Sequence, residues 1–115
     1  MSLKNFWYIA ARSSEIRHRP VAVQLFGEPL VLFRASDGKA AALIDRCAHR
    51  NTALSTGRVI GDCIECPYHG WRYNGAGVCT VIPSLGDDAK LPQVTVKSFP
   101  CQEQDGYIWV CPGGV

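Results

Sequence analysis

An all-β fold, an antiparallel sandwich or barrel with two projecting loops, is predicted by three observations. Short apolar and β-branched runs recur about every eight to twelve positions, each bounded by turn residues. Helical signals are nearly absent: Ser13-Ser14-Glu15-Ile16 is one capped turn, stopped before Pro20. Two cysteine–histidine pairs, Cys47-Ala48-His49 and Cys66-Pro67-Tyr68-His69, stand in the loops between such runs.

Taken in order, the first strand signal is Val21-Ala22-Val23-Gln24-Leu25, followed by a turn at Gly27-Glu28. Residues 29–34 form the next strand, and the Asp-Gly of Ser36-Asp37-Gly38 is a tight hairpin signal. Residues 40–44 complete that hairpin and deliver the chain to Cys47. Residues 58–65 return as a hairpin around Gly61-Asp62 and end at Cys66. Residues 72–74 and 78–81 flank the turn Gly75-Ala76-Gly77, and residues 95–99 and 107–110 supply late strands. The stretch 84–92, with Gly86-Asp87-Asp88, reads as a surface loop, and no internal repeat or low-complexity segment is present.

Composition bounds the function classes. A chain of 115 residues, 47% of them apolar, is expected to form one domain, residues 1–115, with one real core. The formal charge of +2 is too small to imply nucleic acid or an anionic membrane as partner. The start Met1-Ser2-Leu3-Lys4 has no apolar targeting segment and no run reaches membrane-span length, so a cytoplasmic protein is expected. Six cysteines would suit a secreted disulfide scaffold, but a reducing compartment makes free thiols the expectation. Cys79 and Cys111 sit in apolar stretches as small hydrophobes, while Cys63 makes a C-x-x-C with Cys66.

The pattern C-x-H, sixteen intervening residues, then C-x-x-H offers two thiolates and two imidazoles. Two metal centres fit that description: a single Zn²⁺, or a [2Fe–2S] cluster with two cysteines on one iron and two histidines on the other. Structural zinc sites usually pair like ligands within one turn. Here each loop supplies one sulfur and one nitrogen, a split natural for two irons.

The residues around the pairs extend the argument. Phe6-Trp7-Tyr8-Ile9-Ala10, Cys47-Ala48-His49-Arg50 with Leu54-Ser55, and Cys66-Pro67-Tyr68-His69-Gly70-Trp71-Arg72-Tyr73 through Gly77-Val78-Cys79 and Ile82-Pro83 run in sequence. This string resembles the N-terminal Rieske domain of the Rieske non-haem iron oxygenases, the large subunits of ring-hydroxylating and demethylating systems. The resemblance implies a Rieske-type fold and a cluster-binding part at about residues 45–83. It implies one [2Fe–2S] cluster held by Cys47, His49, Cys66 and His69. It further implies a reductase or ferredoxin as electron donor and an oxygenase mononuclear-iron domain as acceptor.

Surrounding residues tune such a cluster, whose potential spans roughly −150 to +300 mV across the class. The Rieske proteins of respiratory and photosynthetic complexes carry a further cysteine in each loop, joined as a disulfide. The matching positions here are Thr52 and Tyr68. Their serine that donates to a cluster sulfide is matched by Trp71, whereas Tyr73 stands where a tyrosine donates to a ligand cysteine. The low-potential end of the range is therefore expected. Trp71 reads as an apolar lid under the cluster, Tyr68 as a loop-packing aromatic, and Gly70 as a backbone requirement. Arg50 is either a solvated charge or, with Arg46 and Arg72, part of a basic collar for an acidic redox partner. Asn51 departs from the family's glycine, but asparagine tolerates a left-handed backbone. His18 lies in a polar stretch and is expected at the surface.

A complete Rieske oxygenase also needs a mononuclear iron on two histidines and a carboxylate. Three histidines, two of them spent on the cluster, cannot supply it, and no G-x-G-x-x-G marks a reductase. The expected role is an electron relay, an oxidoreductase component with no complete oxygenase site among these residues. Two alternatives stand beside it: a free-standing Rieske ferredoxin, and a zinc-stabilised β module that binds other proteins.

Overall fold

Turn residues rather than helices separate the apolar runs, so sequence neighbours pair antiparallel. The computed structural model describes residues 3–48, 51–85 and 93–114. Among these, β1 (Tyr8–Arg12) pairs with β11 (Tyr107–Val110), which pairs with β10 (Cys101–Gln104), to form the base sheet. A second sheet has the order β2 (Val21–Leu25), β3 (Glu28–Arg34), β4 (Ala40–Ile44), β9 (Ser98–Phe99). The third runs β5 (Arg58–Ile60), β6 (Cys63–Glu65), β7 (Arg72–Tyr73), β8 (Cys79–Val81). The all-β antiparallel class expected from the sequence is the observed one.

The second sheet is buried on both faces, which is why β3 reads Leu30-Val31-Leu32-Phe33 without alternation. Side chains alternate sides along a strand. Leu30 and Leu32 join the core shared with Ile16, Ile108 and Val110, while Val31 and Phe33 join the core containing Cys47, Cys66 and Tyr73. One strand thus fastens the base sheet to the cysteine-bearing sheet. Among the described residues no helix is long and apolar enough to cross a membrane.

Several boundaries differ from the expectation. The first hairpin turns at Phe26-Gly27, both with positive φ (52° and 77°), and Glu28 already pairs with Leu25. Two consecutive left-handed residues match the twist of a tight hairpin, and a sequence scan favours Gly-Glu because Phe is a poor turn former. β1 and β10 were not anticipated. β10 is Cys-Gln-Glu-Gln, largely exposed, and exists because β11 pairs with it rather than through its own propensity. Of residues 95–99 only Ser98–Phe99 is a strand, with Thr95 bridging Val78. The capped turn is a 3₁₀ helix at Ser13–Glu15, joined by others at Leu3–Asn5, Leu54–Thr56 and Pro83–Leu85. The last takes up the start of the expected 84–92 loop, whose residues 86–92 lie outside the described part. All six cysteines are free, with Cys79 and Cys111 buried as expected.

A polar bolt reinforces the junction of the first two sheets. Arg34 on β3 donates to both carboxylate oxygens of Glu103 on β10 at 2.7 Å. Its remaining N–H groups reach the carbonyls of Ile16 (2.7 Å), Ser13 (3.0 Å) and Gly38 (2.8 Å), so all five donors are used. Arg34 holds the Glu103 carboxyl down to about 2 from the ordinary 4.5. A depressed carboxylate contributes stability above its unfolded pKa that is lost as pH falls through the folded one, here between about 4.5 and 2. Glu103→Gln is expected to lower stability at pH 7 by about 1 kcal/mol, the pair being partly solvated. Thermal melts at pH 7 and pH 2.5 check this, since the gap between wild type and variant should shrink at the lower pH.

Candidate metal centre

β4 delivers the first loop through Asp45, a carboxylate only 7% exposed. It accepts the Ser55 N–H at 2.7 Å and the Ser55 hydroxyl at 2.6 Å, closing the base of the loop. Within the loop the Cys47 N–H donates to the Thr52 carbonyl at 2.8 Å and the Asn51 N–H to the Cys47 carbonyl at 2.9 Å. Asn51 adopts φ 54°, the left-handed conformation that asparagine accommodates. Asp45 was missed in the sequence, where its one signal is a lone carboxylate directly after an apolar strand.

The second loop leaves β6 at Cys66, whose N–H donates to the Trp71 carbonyl at 2.8 Å. His69 and Gly70 are both left-handed, at φ 71° and 73°. The expectation that Gly70 serves the backbone holds: a Cβ there would meet the Pro83 ring at 3.3 Å in a conformation that L side chains resist. Left-handed backbone is rarer for histidine and turns the exposed His69 ring to the loop tip, edge-on to Tyr68 with ring centres 4.1 Å apart.

The two loops bring Cys47 and Cys66 together. Each is 1% exposed. The Tyr73 hydroxyl lies 3.2 Å from Cys47 Sγ and accepts the Ala48 N–H at 3.2 Å, leaving its own proton for the sulfur. Tyr73 is fully buried. Burial pushes the Cys66 thiol up to about 11; the backbone N–H of Tyr68 opposes the rise and the adjacent Cys47 sulfur adds to it. Burial and Cys47 likewise push the Tyr73 phenol upward. Two abutting buried sulfurs resist ionising alone, and a bound cationic centre removes that resistance. The donor chemistry therefore fits a metal on the sulfur pair.

Trp71 is half-buried against the same core, and Tyr68 is 40% exposed. His49 and Arg50 lie outside the described residues. Among the described residues no three His, Cys, Asp or Glu side chains gather as around a single ion. Cys63 does not join Cys66; its sulfur lies 3.4 Å from the Thr80 hydroxyl. Positions three apart in an extended segment face opposite sides, so the C-x-x-C spacing makes no dithiol here. One of the three arginines weighed for a basic collar is engaged within the chain. Arg72 Nε is bound to Glu65 at 2.8 Å, and Arg58 Nε holds the other oxygen at 2.9 Å. Arg46 is exposed, and so is His18, as expected.

Comparison with known proteins bears on the choice of metal. Residues 6–100 match the family described as Rieske [2Fe-2S] domain. Chlorophyllide a oxygenase of Chlamydomonas reinhardtii is 46% identical over 112 residues, 96% of this chain and 17% of that protein. The oxygenase component of dicamba O-demethylase from Stenotrophomonas maltophilia is 40% identical over 96% of this chain and 32% of its own length. Apo dicamba monooxygenase superposes with a TM-score of 0.89 at 40% identity, covering 96% of this chain and 34% of that one. Pseudomonas putida NdmA does so with 0.89 at 35%, covering 96% and 35%. The chain spans 17% and 32% of the length of these two curated relatives. The match decides for iron–sulfur over the zinc module, and the chain belongs to the Rieske [2Fe-2S] domain family, an electron-transfer domain of the oxygenase type with one [2Fe–2S] cluster as cofactor.

Proposed function

We propose that residues 1–115 act as the one-electron relay of a Rieske non-haem oxygenase system. In this reading Cys47 and Cys66 hold one iron and His49 and His69 the other. The observation that carries it is the buried Cys47–Cys66 pair with the Tyr73 hydroxyl on one sulfur and the Tyr68 N–H on the other. When bound, the cluster takes up and gives back one electron. The protein supplies the rest. Burial keeps water off the sulfurs, and the exposed His69 gives the electron a surface exit. The Tyr73 proton stabilises the negative charge added on reduction. With Trp71 in place of a hydroxyl donor, the potential belongs at the low end of the class range.

The mononuclear iron lies outside these residues, because His18 is exposed and is the one histidine left. A reductase or ferredoxin is the donor and the mononuclear-iron domain of an oxygenase the acceptor. The relatives' names range from chlorophyllide oxygenase to dicamba and methylxanthine demethylases. A part shared across such different substrates suits a common electron step. Free thiols throughout suit the reducing cytoplasm.

Protein purified anaerobically should be brown, with about two irons and two acid-labile sulfides per chain. Colourless protein carrying zinc would overturn the reading. Tyr73→Phe keeps the ring and removes one hydrogen bond to sulfur. At about 0.5–1.5 kcal/mol for that bond, the potential should fall by about 20–60 mV in protein-film voltammetry.

A further inference from the structure

Four adjoining open cavities form a groove along one side of the molecule. The first, about 540 Å³, lies between residues 16–18 and the 34–38 hairpin. The second, about 390 Å³, shares His18 and Val59 with it, and a third of about 440 Å³ also shares His18. The fourth, about 280 Å³, shares Gly57 and Arg58 with the second and ends at Pro67, next to Cys66.

Arg17, Arg19, Arg34 and Arg58 line this groove against Glu15 and Glu65. Arg34 is bound by Glu103, and Arg58 by Glu65. Arg17 donates from Nε to the Ser14 carbonyl at 3.2 Å, and among the described residues neither Arg17 nor Arg19 has an ion-pair partner. These two cations ride on a fixed platform. Ile16 is 1% exposed, its carbonyl is bound by Arg34 at 2.7 Å, and Pro20 stiffens the far end. Uncompensated charge on a concave wall that continues, through the second cavity, into the one ending at Pro67 is suited to attract and orient a protein of opposite sign. The whole chain carries only +2, too little to hold nucleic acid.

We propose that this groove, from Arg17-His18-Arg19 to Pro67, is the docking surface for an acidic electron-donor protein. The proposal rests on the relay reading and names its partner surface. One electron passes from the donor's reduced cluster to this one, and no atoms are exchanged. The test uses the cluster-loaded protein and, as probe, a reduced acidic plant-type [2Fe–2S] ferredoxin, with reduction followed by stopped-flow absorbance. Arg17→Glu/Arg19→Glu should slow the second-order step at least tenfold at low salt and flatten its fall with added salt. Lys97→Glu, a charge reversal outside the groove, should leave it unchanged. Reduction by methyl viologen radical cation, with iron content and visible spectrum, confirms that each variant is folded and loaded. The groove assignment is overturned if the double variant keeps the wild-type rate, or if the wild-type rate ignores salt. It is equally overturned if wild type dimerises in a salt-dependent way through these arginines, which would seat a second copy there. Failure of the relay reading looks different, because wild type would then lack iron or accept no electron even from the viologen.

Discussion

Cys47→Ala and Cys66→Ala are each expected to yield colourless protein, with bound iron below about one tenth of the wild-type content. With Cys47 and Cys66 holding one iron, as proposed, removing either sulfur would leave that iron short of a ligand, and iron–sulfur clusters do not persist on incomplete thiolate sets. The loss of packing is small by comparison. Either substitution deletes one buried sulfur atom and costs about 1 kcal/mol, so the variants should still fold with wild-type far-ultraviolet circular dichroism. Cys63→Ala is the matched control. Its sulfur faces Thr80, away from the buried pair, so the visible spectrum should be retained in full. Iron and sulfide analysis of the three variants decides the assignment. Full cluster in Cys66→Ala together with loss in Cys63→Ala would refute it.

Gly57→Ala is expected to produce a large fall in stability for one added methyl group. Gly57 ends the 3₁₀ turn at Leu54–Thr56, just past the Ser55 residue that Asp45 clamps. A Cβ at this position would stand 1.8 Å from the Glu65 carbonyl oxygen and 3.0 Å from its carbon. The obstacle is backbone, so neither partner can rotate aside. Overpacking of this kind costs on the order of 3 kcal/mol. Because Glu65 directly precedes Cys66, the displacement also reaches that proposed cluster ligand. Urea unfolding of the apo-protein should show the loss of stability, and the loaded protein should release iron faster to a chelator. A variant as stable as wild type, with unchanged iron release, would mean that the two loop bases are not in contact.

The hairpins 21–34, 29–44 and 58–65 could be read from the chain because each depends on neighbours: alternating or continuous apolar runs broken by Gly and Asp. The cysteine–histidine loops were equally readable, since metal chemistry restricts both residue type and spacing. Asn51 and Gly70 followed from the backbone geometry that such loops demand. β10 is the contrasting case. Its polar Cys-Gln-Glu-Gln carries almost no strand signal and takes its shape from β11.

Local chemistry thus dictated most of the strands and narrowed the metal centre to zinc or a [2Fe–2S] cluster, because those depend on residues close together in the chain. Folding decided which distant groups meet: Arg34 with Glu103, Gly57 with Glu65, the Tyr73 hydroxyl with the Cys47 sulfur, and the basic groove beside Pro67. It also drew Arg72, one of three arginines weighed for a partner-facing collar, into an ion pair with Glu65. Each of these pairings is set by sheet register and layer packing, quantities that no stretch of sequence contains before the strands have found one another.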